Sequence, residues 1–149
     1  MPTNNATSTS TGFSAAEHDA MKTRAAELRA EGKQGAKKAD GLQAVLEAIA
    51  KMDPQDRLIA ERVHVVVSTN APGLLPKTWY GMPAYANEDG KVVFCFKNSG
   101  KFNTRYSTIE FQDAAKLDDG EIWPVSFALQ SWSPAIEEKV TEVVKAAVA

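Results

Sequence analysis

The sequence predicts an α+β domain in which an antiparallel sheet of four to five strands is covered on one face by helices. Three observations favour this fold: apolar residues recur at helical spacing before residue 70, strand-like runs follow over residues 75–130, and an amphipathic helix comes after them. Helices and strands that are segregated along a chain are typical of α+β proteins, whereas parallel-sheet folds alternate the two.

Composition sets the broad class of the protein. The chain has 149 residues, 44% hydrophobic and 24% charged, which fits one globular domain and excludes collagen-like, disulfide-rich and wholly disordered proteins. The formal net charge of −2 gives no general reason to expect binding to nucleic acid or to a membrane. Because Cys95 is the single cysteine and no signal or spanning segment is recognisable, we expect a cytoplasmic protein.

The N-terminal part of the chain has its own character. Residues 1–13 are mostly Thr, Ser and Asn, so we expect a disordered tail, because little burial is available to offset its ordering entropy. Ser14 and Glu17 form a capping box that starts a helix over residues 15–31. This helix has a thin apolar stripe, and whether it docks on the domain stays open. Gly32 and Gly35 then interrupt the helical pattern. We therefore expect residues 14–38 to form a charged helix followed by a flexible basic linker.

Residues 39–149 carry the sharper signals and form the predicted domain. Three helix starts combine capping chemistry with an amphipathic stripe, and they lie at Asp40, at Asp53 with Pro54, and at Ser133 with Pro134. Five strand-like runs are expected at residues 75–80, 85–87, 91–97, 105–111 and 125–130. Glu88, Asp89 and Gly90 have hairpin-turn chemistry, so the strands that flank them should be antiparallel neighbours.

Two segments resemble a known family. The run T-W-Y-G-M-P-A-Y at residues 78–85 and the apolar strand at residues 92–96 are similar to the signature region of the YdhG-like domain family. The resemblance extends over residues 42–148 and implies a two-layer sandwich like that of frataxin. Some relatives are described as frataxin-like intracellular iron chaperones, so the resemblance also implies iron, held by surface carboxylates, as one candidate ligand.

Seven residues are candidates for a ligand pocket because their segments should converge on the sheet. They are Trp79, Tyr80, Met82, Tyr85, Phe94, Arg105 and Trp123. Small-ligand sites commonly combine aromatic walls with a few polar groups, which Tyr80, Tyr85 and Arg105 would supply here. Packing of a hydrophobic core is the simpler explanation of the aromatic residues. Residues 81–83 are expected to form a tight, irregular turn.

Acidic residues give one candidate metal site. Asp118, Asp119 and Glu121 offer hard oxygen ligands to a divalent or ferric ion, although the same residues suit a solvated turn between two strands. His18 and His64 lie far apart without a ligand motif, and we expect His64 at the boundary or surface of its helix. We therefore expect no cofactor, and iron is the one candidate that stays open.

No catalytic motif stands out in the sequence. Cys95 lies in an apolar strand and is expected to be an inert, buried thiol. Residues 97–101 are polar and basic, but they lack the Walker spacing and suit a plain hairpin connection. The basic segment at residues 22–38 lacks the aromatic residues and motifs of nucleic-acid readers, so we expect no nucleic-acid partner.

These patterns predict a non-enzymatic module that binds a small ligand or a protein partner, with no nucleic acid and no membrane involved. Two alternatives stay open, an iron-binding chaperone of the frataxin-like type and an enzyme whose site the sequence does not reveal. A cleft that holds Tyr85, Arg105 and a carboxylate of strongly shifted acidity would favour the enzyme.

Overall fold

The structure, a computed structural model, describes residues 12–149. The elements in this range are α1 (Ala15–Ala30), α2 (Lys33–Ala50), α3 (Pro54–Asn70), β1 (Leu75–Trp79), β2 (Met82–Ala86), β3 (Val92–Lys97), α4 (Ser99–Phe102), β4 (Ser107–Phe111), β5 (Ser126–Leu129) and α5 (Pro134–Val148). The predicted α+β class with an antiparallel sheet is confirmed. Within residues 12–149, no helix combines the length and the apolar character that crossing a membrane requires.

The five strands form a meander in which each strand pairs antiparallel with the next. Tyr80 and Gly81 link β1 to β2, and both have positive φ (52° and 76°), as the two central residues of a type I′ hairpin turn require. Trp79 and Met82 are therefore a cross-strand pair. The expected irregular turn is wrong for Met82 and Pro83, because the two-residue turn ends at Gly81 and β2 follows directly.

Asn87 organises the turn between β2 and β3, where a hairpin is predicted. Its Oδ1 accepts hydrogen bonds from the backbone amides of Asp89 and Lys91, both at 3.0 Å. Gly90 has the positive φ of 81° that completes the turn. The two strands are antiparallel neighbours, as the turn chemistry predicts.

Consecutive side chains of the strands lie on opposite faces of the sheet. On one face, the rings of Tyr85, Phe94 and Phe111 stack in series, with neighbouring centroids 5.0 Å apart. These rings belong to a core cluster that also contains apolar residues of α2, α3 and α5, and we call this face the core face. Ala84 and Cys95 pair on the opposite face, where they belong to a separate, smaller cluster.

The helical hairpin of α1 and α2 is tighter than the sequence predicts. α2 begins at Lys33, so residues 33–38 are its first turns and not the expected linker, and Asp40 lies inside the helix. Gly35 explains the difference, because a Cβ at this position would collide with the carbonyl oxygen of Leu28 in α1. This glycine allows two helices to approach closely, and it does not mark a flexible segment.

α1 begins at its predicted capping box and is docked on α3. The Glu17 amide donates to Ser14 Oγ at 3.1 Å, and the Ser14 amide donates to Glu17 Oε1 at 2.8 Å. Arg62 of α3 is buried, and its guanidinium donates to the two carboxylate oxygens of Glu17 at 3.0 and 3.2 Å. The sequence leaves open whether α1 docks on the domain. The contact between Arg62 and Glu17 shows that it does.

The first eleven residues of the expected disordered tail lie outside the described range. Its last two residues, Gly12 and Phe13, are held against α3. The Gly12 carbonyl accepts a hydrogen bond from Arg62 at 3.1 Å, and the Phe13 amide donates to Glu61 Oε1 at 3.1 Å. The expectation of disorder is therefore wrong for these two residues, because polar groups of α3 bind their backbone.

The connection between β3 and β4 contains the short helix α4, which the sequence analysis does not predict. Asp56 of α3 is buried and accepts four hydrogen bonds from this region. The donors are Asn98 Nδ2 at 3.4 Å, Ser99 Oγ at 2.8 Å, the Gly100 amide at 2.8 Å and Ser107 Oγ at 3.3 Å. A carboxylate from a distant helix thus holds the first turn of α4, which local sequence cannot reveal.

Candidate functional site

His64 and Tyr85 form a buried polar pair between α3 and β2. The imidazole Nδ1 of His64 and the hydroxyl of Tyr85 are hydrogen-bonded at 2.8 Å, and the residues are only 2% and 1% exposed. The Tyr85 ring stacks on Phe94 behind it, with centroids 5.0 Å apart. This bond satisfies the imidazole Nδ1 and the Tyr85 hydroxyl, which is what a polar group in an apolar interior requires.

Burial sets the protonation state of this pair. It lowers the pKa of His64 from 6.5 to about 4, and it raises the pKa of Tyr85 above its ordinary value. Both side chains are therefore neutral at pH 7. A base this weak and an acid this weak are poorly matched to proton transfer near neutral pH.

A cavity of about 350 Å³ opens beside this pair, and we call it the α1 pocket because α1 supplies one wall. Its lining is mostly apolar and comes from α1, α2, α3, the α3–β1 connection, β1 and β2. The apolar side chains include Met21, Leu28, Leu42, Val67, Leu74 and Pro76. The polar or charged side chains are Arg24, Lys38, His64, Ser68 and Tyr85. The volume and the few polar groups among apolar walls fit a small-molecule site.

The two ends of the α1 pocket differ in exposure and charge. His64 and Tyr85 are almost fully buried and so mark the inner end. Arg24, whose side chain is 54% exposed, and the half-buried Lys38 mark the rim. No carboxylate is among the side chains that line the pocket within residues 12–149. The side chains that line the inner end are therefore neutral, and the charged side chains that line the rim are cationic.

The seven predicted ligand residues do not come together in one pocket. Tyr85 lines the α1 pocket, and Phe94 stacks behind it on the core face. Trp79 and Met82 pack in the cluster on the opposite face of the sheet. The other three lie at separate places: Tyr80 is exposed in the β1–β2 turn, Arg105 is exposed beside the Tyr106 ring, and Trp123 is half-buried before β5.

His64 is predicted to lie at the boundary or surface of α3, but the structure places it in the interior. The expectation is wrong because the buried surface of α3 is broad and includes Asp56, Arg62 and His64 as well as its apolar residues. One signal was present in the sequence: His64 lies within the run V-H-V-V-V, and a histidine among valines is surrounded by residues that prefer the interior. Its partner Tyr85 is 21 residues away and cannot be paired with it from spacing.

The three predicted acidic metal ligands lie in an exposed connection. Asp118, Asp119 and Glu121 are exposed in the connection between β4 and β5. Across the part of the chain that the structure describes, no three His, Cys, Asp or Glu side chains are grouped so as to hold a metal ion.

A second cavity of about 500 Å³ lies beside α4. Its walls are more polar and carry both signs of charge, from Glu47, Asp53, Lys51 and Lys101. The Lys101 ammonium already donates to the Tyr80 carbonyl at 2.7 Å. This cavity is larger than the α1 pocket, but its mixed charges indicate no single class of ligand, so we favour the α1 pocket as the candidate site.

Cys95 is buried, as predicted, in the cluster on the face opposite the core face. Burial, with a smaller contribution from the nearby Glu110 carboxylate, raises the pKa of the thiol to about 11. The thiol is therefore protonated at pH 7, and the thiolate that a nucleophile requires is scarce.

Comparison with known proteins adds no relative: no family model, no curated protein and no solved structure matches this chain. The resemblance of residues 78–85 and 92–96 to the YdhG-like family stays a prediction from those residues. The chemistry of the α1 pocket consequently rests on its own geometry.

Proposed function

We propose that this protein is a non-enzymatic module that binds a small, mainly apolar ligand in the α1 pocket. The observation that carries the proposal is a mostly apolar cavity of about 350 Å³ with a neutral, mutually satisfied His64–Tyr85 pair at its inner end. Burial of a ligand's apolar surface against such walls supplies the driving force for binding.

The properties of the His64–Tyr85 pair favour binding over catalysis. A general acid or base works best with a pKa near the operating pH, and the pKa of His64 is about 4. Arg105, which together with Tyr85 and a carboxylate would have favoured an enzyme, is exposed and lies outside the lining of the α1 pocket. These features support a role in holding a ligand.

Methionine methyl groups provide a site-resolved test. Protein labelled with ¹³C at the Met methyls has reporters in three regions: Met21 lines the α1 pocket, Met52 lines the cavity beside α4, and Met82 lies on the face opposite the core face. With 1-octanol as the probe, we expect a saturable shift of the Met21 signal and no change at Met52 and Met82. A saturable shift confined to Met52 or Met82, or no shift at all, would contradict the proposal.

A matched pair of variants on α1 adds a control. Ala20 lines the α1 pocket, whereas Ala26 is exposed on the same helix and lies outside the lining. Ala20→Trp should fill the pocket and weaken the 1-octanol response of Met21 at least tenfold. Ala26→Trp, which adds the same side chain to the same helix, should leave the response unchanged. Equal responses in both variants would show that the probe binds elsewhere.

Membership of the YdhG-like family and a cytoplasmic location are parts of the same proposal. The family rests on residues 78–85 and 92–96, and the location rests on the single cysteine. Neither is needed for the ligand test above, which depends on the pocket alone.

A further inference from the structure

The charged side chains that line the α1 pocket have one sign. Two cationic side chains, Arg24 and Lys38, line it, and no carboxylate within residues 12–149 does. In a chain whose formal net charge is −2, a pocket with two cations and no lining anion departs from the average surface. Such a pocket attracts a ligand that carries a negative charge.

The positions of these cations place the charged group of a ligand at the rim. At the inner end, His64 and Tyr85 are neutral at pH 7 and already bound to each other, so they present no charge to an anion. The inner end and walls therefore accept an apolar body, while Arg24 and Lys38 are more exposed than this pair and supply the cations of the rim.

Arg24 retains donors for a ligand. Its contacts with Glu27 and Glu31 are 3.7 and 3.8 Å long, which exceeds a hydrogen-bond length, and the side chains involved are all more than half exposed. Ion pairs of this kind contribute little to stability. A guanidinium has five donors and binds a carboxylate with two parallel hydrogen bonds, so a carboxylate would compete well for it.

We propose that the ligand of the α1 pocket is a medium-chain monocarboxylate, whose carboxylate pairs with Arg24 and Lys38 at the rim and whose hydrocarbon chain extends toward Tyr85. This inference rests on the proposed function, since it names the class of ligand for the same pocket. It predicts a preference among probes of equal chain length: octanoate first, 1-octanol second and octylamine last.

The experiment compares these three probes by titration of the ¹³C-labelled Met21 methyl at pH 7 and low ionic strength. We expect octanoate to bind about tenfold more tightly than 1-octanol, which is the gain that one charge-assisted hydrogen bond supplies. Raising the salt concentration should weaken octanoate and leave 1-octanol unchanged, because salt screens an exposed ion pair. If 1-octanol binds as tightly as octanoate, the carboxylate inference is wrong and the proposed function stands. If no probe binds, both are wrong.

Two double variants that each remove two positive charges distinguish an effect of the rim cations from an effect of the protein's net charge. Arg24→Gln with Lys38→Gln should lower octanoate affinity about tenfold and leave 1-octanol affinity unchanged. Lys22 and Lys37 lie on the same helices, are exposed and are outside the pocket lining, so Lys22→Gln with Lys37→Gln is the control and should change neither affinity. An equal loss in both double variants would show that net charge alone matters, which contradicts the proposal.

A macromolecular occupant would give a different result. If a second copy of the chain covered the pocket, the Met21 signal would move with protein concentration before any probe is added, and octanoate would compete with that shift. We expect the Met21 signal to be independent of protein concentration. A concentration-dependent shift would overturn the assignment of the pocket to a carboxylate ligand.

Discussion

At the scale of single residues, His64 links the chemistry of the candidate site to the stability of the protein. The imidazole is held in an apolar interior by one hydrogen bond to Tyr85. Its neutral form suits this position, whereas its protonated form would be a buried charge with no carboxylate bonded to it among residues 12–149. Because burial disfavours this charge, the pKa of His64 is lowered.

We expect the free energy of unfolding to fall as the pH falls through this residue's titration range. The pKa of His64 is about 4 in the folded protein and 6.5 when exposed, so between these values the unfolded chain binds more protons than the folded one. The stabilisation is complete above pH 6.5 and is lost as the pH drops toward 4. The loss amounts to about 3 kcal/mol, because one pKa unit corresponds to about 1.4 kcal/mol.

Urea unfolding of the wild type and of His64→Gln at a series of pH values measures this difference. The variant should lack this part of the pH dependence, although its carboxylates still titrate. His18→Gln removes an exposed histidine and is the matched control, so its profile should run parallel to that of the wild type. Parallel profiles for all three proteins would show that His64 is protonated normally in the folded state.

At the scale of secondary-structure elements, the docking of α1 decides whether the pocket exists. α1 supplies one wall, and its N-terminal end is bound by Arg62 through Glu17. The guanidinium of Arg62 also lies 3.9 Å from the Glu137 carboxylate of α5, so one side chain connects three helices. A helix with a thin apolar stripe of its own depends on such contacts to stay docked.

Removal of this contact should release α1 in preference to the rest of the fold. We expect Arg62→Gln to weaken docking by about 2 kcal/mol, the usual contribution of hydrogen bonds to a charged group, and so to speed amide exchange in α1 about thirtyfold. Hydrogen–deuterium exchange with mass spectrometry measures this by segment. Arg57→Gln changes an exposed arginine on the same helix and should leave α1 protected. If α1 of the Arg62→Gln variant exchanged its amides as slowly as α1 of the wild type, Arg62 would not be needed to hold α1 in place.

Elements whose chemistry is local are the ones that sequence predicts well. The capping box at Ser14, the Asp53–Pro54 start and the turn at residues 88–90 each depend on residues a few positions apart, and all are confirmed. The start of α2 is not predicted, since the role of Gly35 appears only when α1 packs against it. The short helix α4 is missed for the same reason, because its cap is the distant Asp56.

The candidate site is predictable only in part. Tyr85 is identified from its aromatic segment, and it does line the α1 pocket. Arg24 and Lys38 are noticed in the sequence only as a basic stretch, and His64 is assigned to the boundary or surface of α3. These residues come from four separate elements, so their convergence follows from the packing of the helices and not from any spacing.

At the scale of the whole molecule, the sheet and the pocket depend on contacts of different sequence separation. Every strand of the sheet pairs with the strand next to it in sequence, so the sheet is built from neighbouring segments of the chain. The pocket depends instead on contacts across long separations, such as the 45 residues between Glu17 and Arg62. Strands β1 and β2 of the sheet line part of the pocket, and the docked α1 supplies the wall that completes it.

The most direct test of this account locates a bound probe by nuclear Overhauser effects between unlabelled 1-octanol and ¹³C-labelled protein. The account predicts contacts from the alkyl chain to the Met21 methyl of α1 and to the Tyr85 ring of β2, observed together. Contacts to the Met82 methyl or the Trp79 ring, with none to Met21, would place the ligand on the opposite face of the sheet and contradict the account.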